Sequence, residues 1–271
     1  MDDPAPHVVD PAAEAIWKGI LLGTDPRFKR ARARLKHLPS EPRCKLCAAP
    51  FGAPGAVLMR LMGRGRWPKN PRYCETCFGV VSQVHGGAEI EGSFLFADVR
   101  GSTTLAESMS PSAFRAQLGR FYDVATRVLI ERDAVVDKFI GDEVFAIFIP
   151  ALTHEAHAEH AIQAALDLLR ATGQVDPGGP WLPIGIGVHT GIAYVGSVGL
   201  ATAPEFTAVG DVVNTTARLA SAAAAGELLV TDAASGAAGF DISKLERRSL
   251  ALKGKAEATS VAVATVRPGR Q

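Results

Sequence analysis

The stretch Phe94-Leu95-Phe96-Ala97-Asp98-Val99-Arg100-Gly101-Ser102-Thr103 puts a carboxylate at the end of an apolar run and follows it with a turn of small residues. Asp98 at a strand end can hold a divalent cation. The N–H groups of Gly101, Ser102 and Thr103, at the start of a helical pattern, can point at phosphate oxygens. That chemistry suits a metal-bound triphosphate. A solvated Asp followed by a Ser/Thr cap is the plainer alternative for this segment alone.

A second carboxylate follows in Val135-Val136-Asp137-Lys138-Phe139-Ile140-Gly141-Asp142-Glu143-Val144-Phe145. Two β-branched and aromatic runs flank Gly141-Asp142, which predicts a hairpin with that pair in the turn. If the hairpin pairs with the Asp98 strand, Asp98 and Asp142 can share two cations. Glu143 is either a third ligand or a solvent-facing strand residue. A third constellation, Val209-Gly210-Asp211-Val212-Val213-Asn214-Thr215-Thr216-Ala217-Arg218, predicts a helix capped by Asp211. It sets Asn214 and Arg218 at i and i+4 on one face, with Val213, Ala217 and Ala220 toward a core. An Asn over an Arg can serve a ribose and a phosphate, or simply form an exposed polar face.

These segments, with Gly187-Val188-His189-Thr190-Gly191 and Leu252-Lys253-Gly254-Lys255, come in an order and spacing that resembles the class III nucleotidyl cyclases, from about Ser93 to Val266. The resemblance implies a ferredoxin-like βαββαβ sandwich of the α/β (α+β) class. It implies conversion of ATP to 3′,5′-cyclic AMP and pyrophosphate by two Mg²⁺ or Mn²⁺ held on Asp98 and Asp142, at the interface of a homodimer. It further implies that Lys138 and Thr207 read the base, Asn214 orients the ribose and Arg218 stabilises the transition state. Lys253 would reach the terminal phosphates, with Lys255 as its close competitor. Thr207 stands where well-known adenylyl cyclases carry Asp, so a cyclase of GTP or of a pyrimidine nucleotide stays open. So does a catalytically silent regulator that binds nucleotide or nucleic acid.

Cys44, Cys47, Cys74 and Cys77 form two Cys-x-x-Cys pairs with 26 residues between them, the pattern of a structural Zn²⁺ site. Disulfides, redox chemistry and an iron–sulfur cluster are the alternatives. No signal-peptide pattern precedes them, so a reducing cytoplasm is the expected compartment.

Four regions are expected: a basic helical segment over 1–40, a zinc-ribbon-like module over 41–80, a linker over 81–92 and the cyclase domain over 93–267. The net charge of +1 hides an asymmetry, since thirteen Lys or Arg face one acid between Arg27 and Arg72. Nucleic acid, an anionic membrane and the acidic cyclase domain are all candidate partners for that surface. No apolar run reaches the length of a membrane span.

Apolar spacing predicts helices over 12–22, from Pro111 onward and over 154–169, and a short one after Thr231. Strands are expected at 184–189 and 193–198, joined at Thr190-Gly191, and at 245–250 and 260–266. His154, His157 and His160 suggest either a metal cluster or an exposed polar face. His189 is expected as a core-edge strand residue.

Overall fold

In the N-terminal part, Asp25 accepts the Arg27 N–H at 2.7 Å, and Pro26 fits the first helical turn. The predicted basic helix is therefore Pro26–Leu35, preceded by the helix Pro11–Leu21. The computed structural model describes residues 11–38, 40–67, 70–77, 79, 86–198, 205–252, 254–255 and 257–266. It divides into two compact units: residues 1–90 with 194–208, and residues 91–193 with 209–271.

The first unit holds those two helices, the helix Gly55–Leu61, and the strands β1 (Arg66–Trp67) and β2 (Asn70–Cys74), an antiparallel pair. Trp17, Ile20, Leu21, Phe28, Met59, Tyr73, Ile90 and Val195 are among its buried side chains, with all four cysteines. Trp17 stacks on Phe206 with ring centroids 6.2 Å apart. Arg32 donates to the Lys45 carbonyl at 2.7 Å and so ties the basic helix to the first cysteine knuckle.

The second unit carries most of an eight-stranded sheet built from β3 (Gly86–Val99), β4 (Val135–Ile140), β5 (Glu143–Phe148), β6 (Ile184–Val198), β7 (Glu205–Val209), β8 (Glu227–Thr231), β9 (Glu246–Leu250) and β10 (Thr259–Thr265). The order is β4-β5-β3-β6-β8-β10-β9, with β7 paired to β6. The helices Pro111–Glu131 and His157–Ala171 connect β3 to β4 and β5 to β6. The order β4-β5-β3-β6 with these crossovers is the expected ferredoxin-like βαββαβ arrangement.

Alternation along β3 decides what each face does. Leu95, Ala97 and Val99 join Phe121, Leu129, Ala165 and Leu168 of the two crossover helices in one core. Phe94, Phe96 and Asp98 therefore point to the opposite face. There, Phe96 stacks on Phe145 of β5 at 4.3 Å.

That opposite face also receives the helix Asp211–Ala222. A Cβ added at Gly187 would lie 2.6 Å from the Ala220 nitrogen and 2.7 Å from the Thr216 oxygen. Only glycine lets β6 approach the helix backbone so closely. The helix buries Val212, Thr215, Thr216, Leu219 and Ala220, while Val213 and Ala217 are only half-buried. Ala220 is buried as expected, while Val212 and Thr216, each one position earlier, take the places expected of Val213 and Ala217.

β6 departs from expectation as well, since it is one continuous strand through Thr190 and Gly191. Gly191 serves close packing rather than a turn: a Cβ there would sit 3.1 Å from Val212 Cγ2.

Candidate functional site

Antiparallel pairing of β3 with β5 sets Asp98 directly opposite Glu143. Beyond that pair, the β4–β5 turn brings in Asp142, whose carbonyl accepts the Val99 N–H at 3.2 Å. Gly141 has φ +62°, the left-handed conformation that a tight hairpin turn asks of glycine. Tyr122 donates its hydroxyl to the Gly141 carbonyl and packs its ring 4.3 Å from Phe139, so the crossover helix holds the turn in place. The two candidate metal ligands are therefore neighbours fixed by backbone.

Three carboxylates now crowd one strand end. Burial, and secondarily the charge of Asp142, push the Asp98 carboxyl up, while Arg100 pulls it down. Burial and the charges of Asp98 and Asp142 push Glu143 up to about 7. Partly desolvated carboxylates that oppose one another's ionisation fit a divalent cation, which relieves both penalties together. Asp98 and Asp142 are the residues that would hold it, and Glu143 shares their surroundings.

Motif reasoning does not single out Arg100. It ion-pairs with Asp98 and donates to the Ser221 and Ala223 carbonyls at 2.8 and 3.4 Å, the C-terminal end of the helix Asp211–Ala222. Its position two residues after Asp98 is the only signal in the sequence. The carbonyls it meets are more than 120 residues away.

Gly101 has φ +69° and starts the helix Ser102–Ser108, whose N-terminus no side chain caps. Gly101 and Thr103 are exposed and Ser102 is half-buried. Lys138 lies on β4 opposite Phe145, so it shares the Asp98 face of the sheet. Thr207 is buried on β7, in the first unit.

Gly210, not Asp211, is the N-cap of the third motif's helix. Asp211 is its first residue and ion-pairs with Lys255. Asn214 is exposed one turn before the half-buried Arg218. A Cβ at Gly254, where φ is +79°, would lie 3.4 Å from the Arg218 guanidinium, so glycine leaves that group room against the backbone. Neither Asn214 nor Arg218 hydrogen-bonds to Asp98 or Asp142 among the described residues. Lys253 lies outside the described residues.

His157 and His160 meet protein partners, and His154 is exposed. His157 is buried, accepting or donating through Nδ1 to Ser93 Oγ at 2.9 Å, and Ser93 meets Thr190 at 2.6 Å. His160 Nδ1 lies 2.9 Å from the Arg132 carbonyl. His157 thus corrects the exposed-face alternative, because a serine on β3 gives its ring a buried partner. His189 bonds Thr231 at 2.8 Å and is driven down to about 4, mainly by burial and then by Lys255.

The four cysteine sulfurs converge within 4.8 Å of one another and are buried. Cys47 and Cys74 are 3.6 Å apart, Cys44 and Cys77 4.0 Å. At a Zn–S bond of about 2.3 Å a tetrahedron of sulfurs has edges of about 3.8 Å. The cage therefore fits a single tetrahedral ion. Both separations are far beyond a disulfide bond of about 2 Å.

Residues 89–265 match the family model of the adenylate and guanylate cyclase catalytic domain. The chain belongs to that family. Among curated relatives, "Adenylate cyclase 1" of Rhizobium meliloti is 37% identical over 52% of this chain and 22% of its own length. The adenylate cyclase of Anabaena cylindrica is 33% identical over 47% of this chain and 26% of its own. The chain thus spans about a quarter of either relative. Among solved structures, the guanylyl cyclase Cya2 superposes with a TM-score of 0.60 at 26% identity, covering 67% of this chain and 95% of that one. The adenylyl cyclase CyaB from P. aeruginosa gives 0.56 at 26% identity, covering 66% and 96%. Two cyclases of different bases at equal identity leave the base to individual side chains.

Proposed function

We propose that the chain converts ATP to 3′,5′-cyclic AMP and pyrophosphate in a homodimer with two composite sites. Each site takes Asp98 and Asp142 from one protomer and Lys138, Thr207, Asn214 and Arg218 from its partner. The observation that carries this is the Asp98–Asp142 pair, two carboxylates brought to one strand end by the β3–β5 pairing and the Val99–Asp142 backbone bond.

Two Mg²⁺ or Mn²⁺ ions on the aspartates would supply acidification of the ribose 3′-hydroxyl and neutralisation of the triphosphate. Asn214, exposed one turn from Arg218, orients the ribose. Arg218 donates to the charge that grows on the α-phosphate, an effect of roughly 3–4 kcal/mol for a preorganised donor. The Gly101–Thr103 turn offers backbone N–H groups to phosphate. Lys255 is engaged by Asp211, which favours Lys253 for the terminal phosphates.

ATP is favoured because Lys138 can donate to an adenine ring nitrogen while the Thr207 hydroxyl accepts from the amino group. GTP presents a protonated ring nitrogen to Lys138, and a donor left facing a donor costs about 1–3 kcal/mol, roughly tenfold or more in specificity, whereas the Thr207 hydroxyl can turn to donate to the guanine oxygen and discriminates little. The two relatives named adenylate cyclase agree with this choice. The four-cysteine cage would hold a structural Zn²⁺, and its reduced thiols fit a cytoplasmic setting. Incubating purified protein with each of the four nucleoside triphosphates and Mn²⁺ tests the assignment. Cyclic AMP should form with the highest specificity constant, and a higher constant for GTP, CTP or UTP would overturn it.

A further inference from the structure

The helix Gly55–Leu61, between the two cysteine pairs, turns most of its apolar residues outward. Met59 is buried, but Val57, Leu58, Leu61 and Met62 are 64%, 51%, 82% and 57% exposed. A single exposed leucine is ordinary, whereas four large apolar side chains at i, i+1, i+4 and i+5 make a continuous exposed face. They project from a helix rather than line a groove, so a partner must receive them.

Charge identifies that partner. Arg60, Arg64 and Arg66 line one recess beside Phe51 and Ala56 at the edge of this helix. Arg66 sits 5.2 Å from the Phe51 ring centroid, and neither Arg60 nor Arg66 is ion-paired among the described residues. From Ala48 to Cys74 there are five Lys or Arg and no acid, and the next residue, Glu75, brings one carboxylate to Gly65, between Arg64 and Arg66. An outward apolar face rimmed by arginines, within a strongly basic stretch, has the makings of an interfacial anchor: apolar chains enter the acyl boundary while guanidinium groups meet lipid phosphates. We infer that this face docks the cysteine module onto an anionic phospholipid surface.

The test is co-sedimentation of the full chain with vesicles of phosphatidylcholine, alone or with about 30% phosphatidylglycerol. Wild type should pellet with the anionic vesicles and largely remain in solution with the neutral ones. L58S/L61S should bind at least tenfold more weakly and R60E at least threefold, with cyclase turnover unchanged in both. Because Leu61 is the most exposed of the four, L61S alone and L61W give versions that the fold tolerates. The Trp emission of L61W should shift to the blue with anionic vesicles only. Failure of wild type to pellet, or equal binding by L58S/L61S with its metal content intact, would overturn the inference. So would a concentration-dependent change in oligomeric state that L58S/L61S abolishes, since the face would then join copies of the chain.

Discussion

The sheet unit and the cysteine module are held together by different means. Around β3, β5 and β6, Phe121, Leu129, Phe148, Ile162 and Leu168 are fully or almost fully buried in one apolar core. At about 1.5–3 kcal/mol for each large side chain removed from water, such a core can outweigh chain entropy without help. Between Glu41 and Cys77 only Met59 and Tyr73, among the described residues, are large, non-cysteine and fully buried, and the four thiols fill the centre. A structural Zn²⁺ contributes on the order of 10 kcal/mol, more than those two side chains together. The residues proposed for catalysis can therefore sit at strand ends that the apolar core already fixes, while the module's surface would be organised around the proposed ion.

The strongest way to break this contrast is to remove one functional group from each region. Asp98→Ala should lower turnover at least a thousandfold with the thermal transition of the sheet unchanged, because it deletes a metal ligand and no apolar contact. Turnover within threefold of wild type would remove Asp98 from the site. Conversely, the purified protein should contain about one zinc per chain, and Cys44→Ser should lose that zinc and much of its solubility while keeping turnover within about threefold. Absence of stoichiometric metal by elemental analysis would end the zinc assignment.

A smaller effect separates burial from metal dependence within the sheet unit. His189 is held near 4 in the folded state against about 6.5 when unfolded, so the unfolded chain takes up its proton first as pH falls. Its contribution should be complete above pH 6.5 and be lost between 6.5 and 4, on the order of 1–2 kcal/mol after allowance for partial exposure. Urea melts of His189→Gln against wild type at pH 7.5 and 4.5 would measure it. The variant should lose less stability on acidification, and parallel losses would refute the mechanism.

What could be read from sequence and what could not follows the range of the interactions. The Gly141–Asp142 turn, the helix from Pro111 and the cysteine cage rest on local chemistry: a glycine between two β-branched runs, apolar helical spacing, paired Cys-x-x-Cys; the ferredoxin-like order is implied by the family resemblance. Arg100 escapes sequence reasoning because its partners at Ser221 and Ala223 are brought near only by the folded sheet. Thr190-Gly191 resembles a turn, yet the glycine there makes room for Val212, a tertiary demand invisible in a local window. His157 follows the same logic, since the partner that buries it is Ser93, 64 residues earlier.

The proposed dimer, in which each site draws on two chains, is tested most directly by complementation. Asp98→Ala and Arg218→Ala should each be nearly inactive. Mixed after confirmed subunit exchange, about half the dimers are heterodimers, each with one site carrying both lesions and one carrying neither, so activity should return to roughly a quarter of wild type. A mixture that stays as inactive as either parent, with exchange demonstrated, would show that a single chain holds the whole site and would contradict the account.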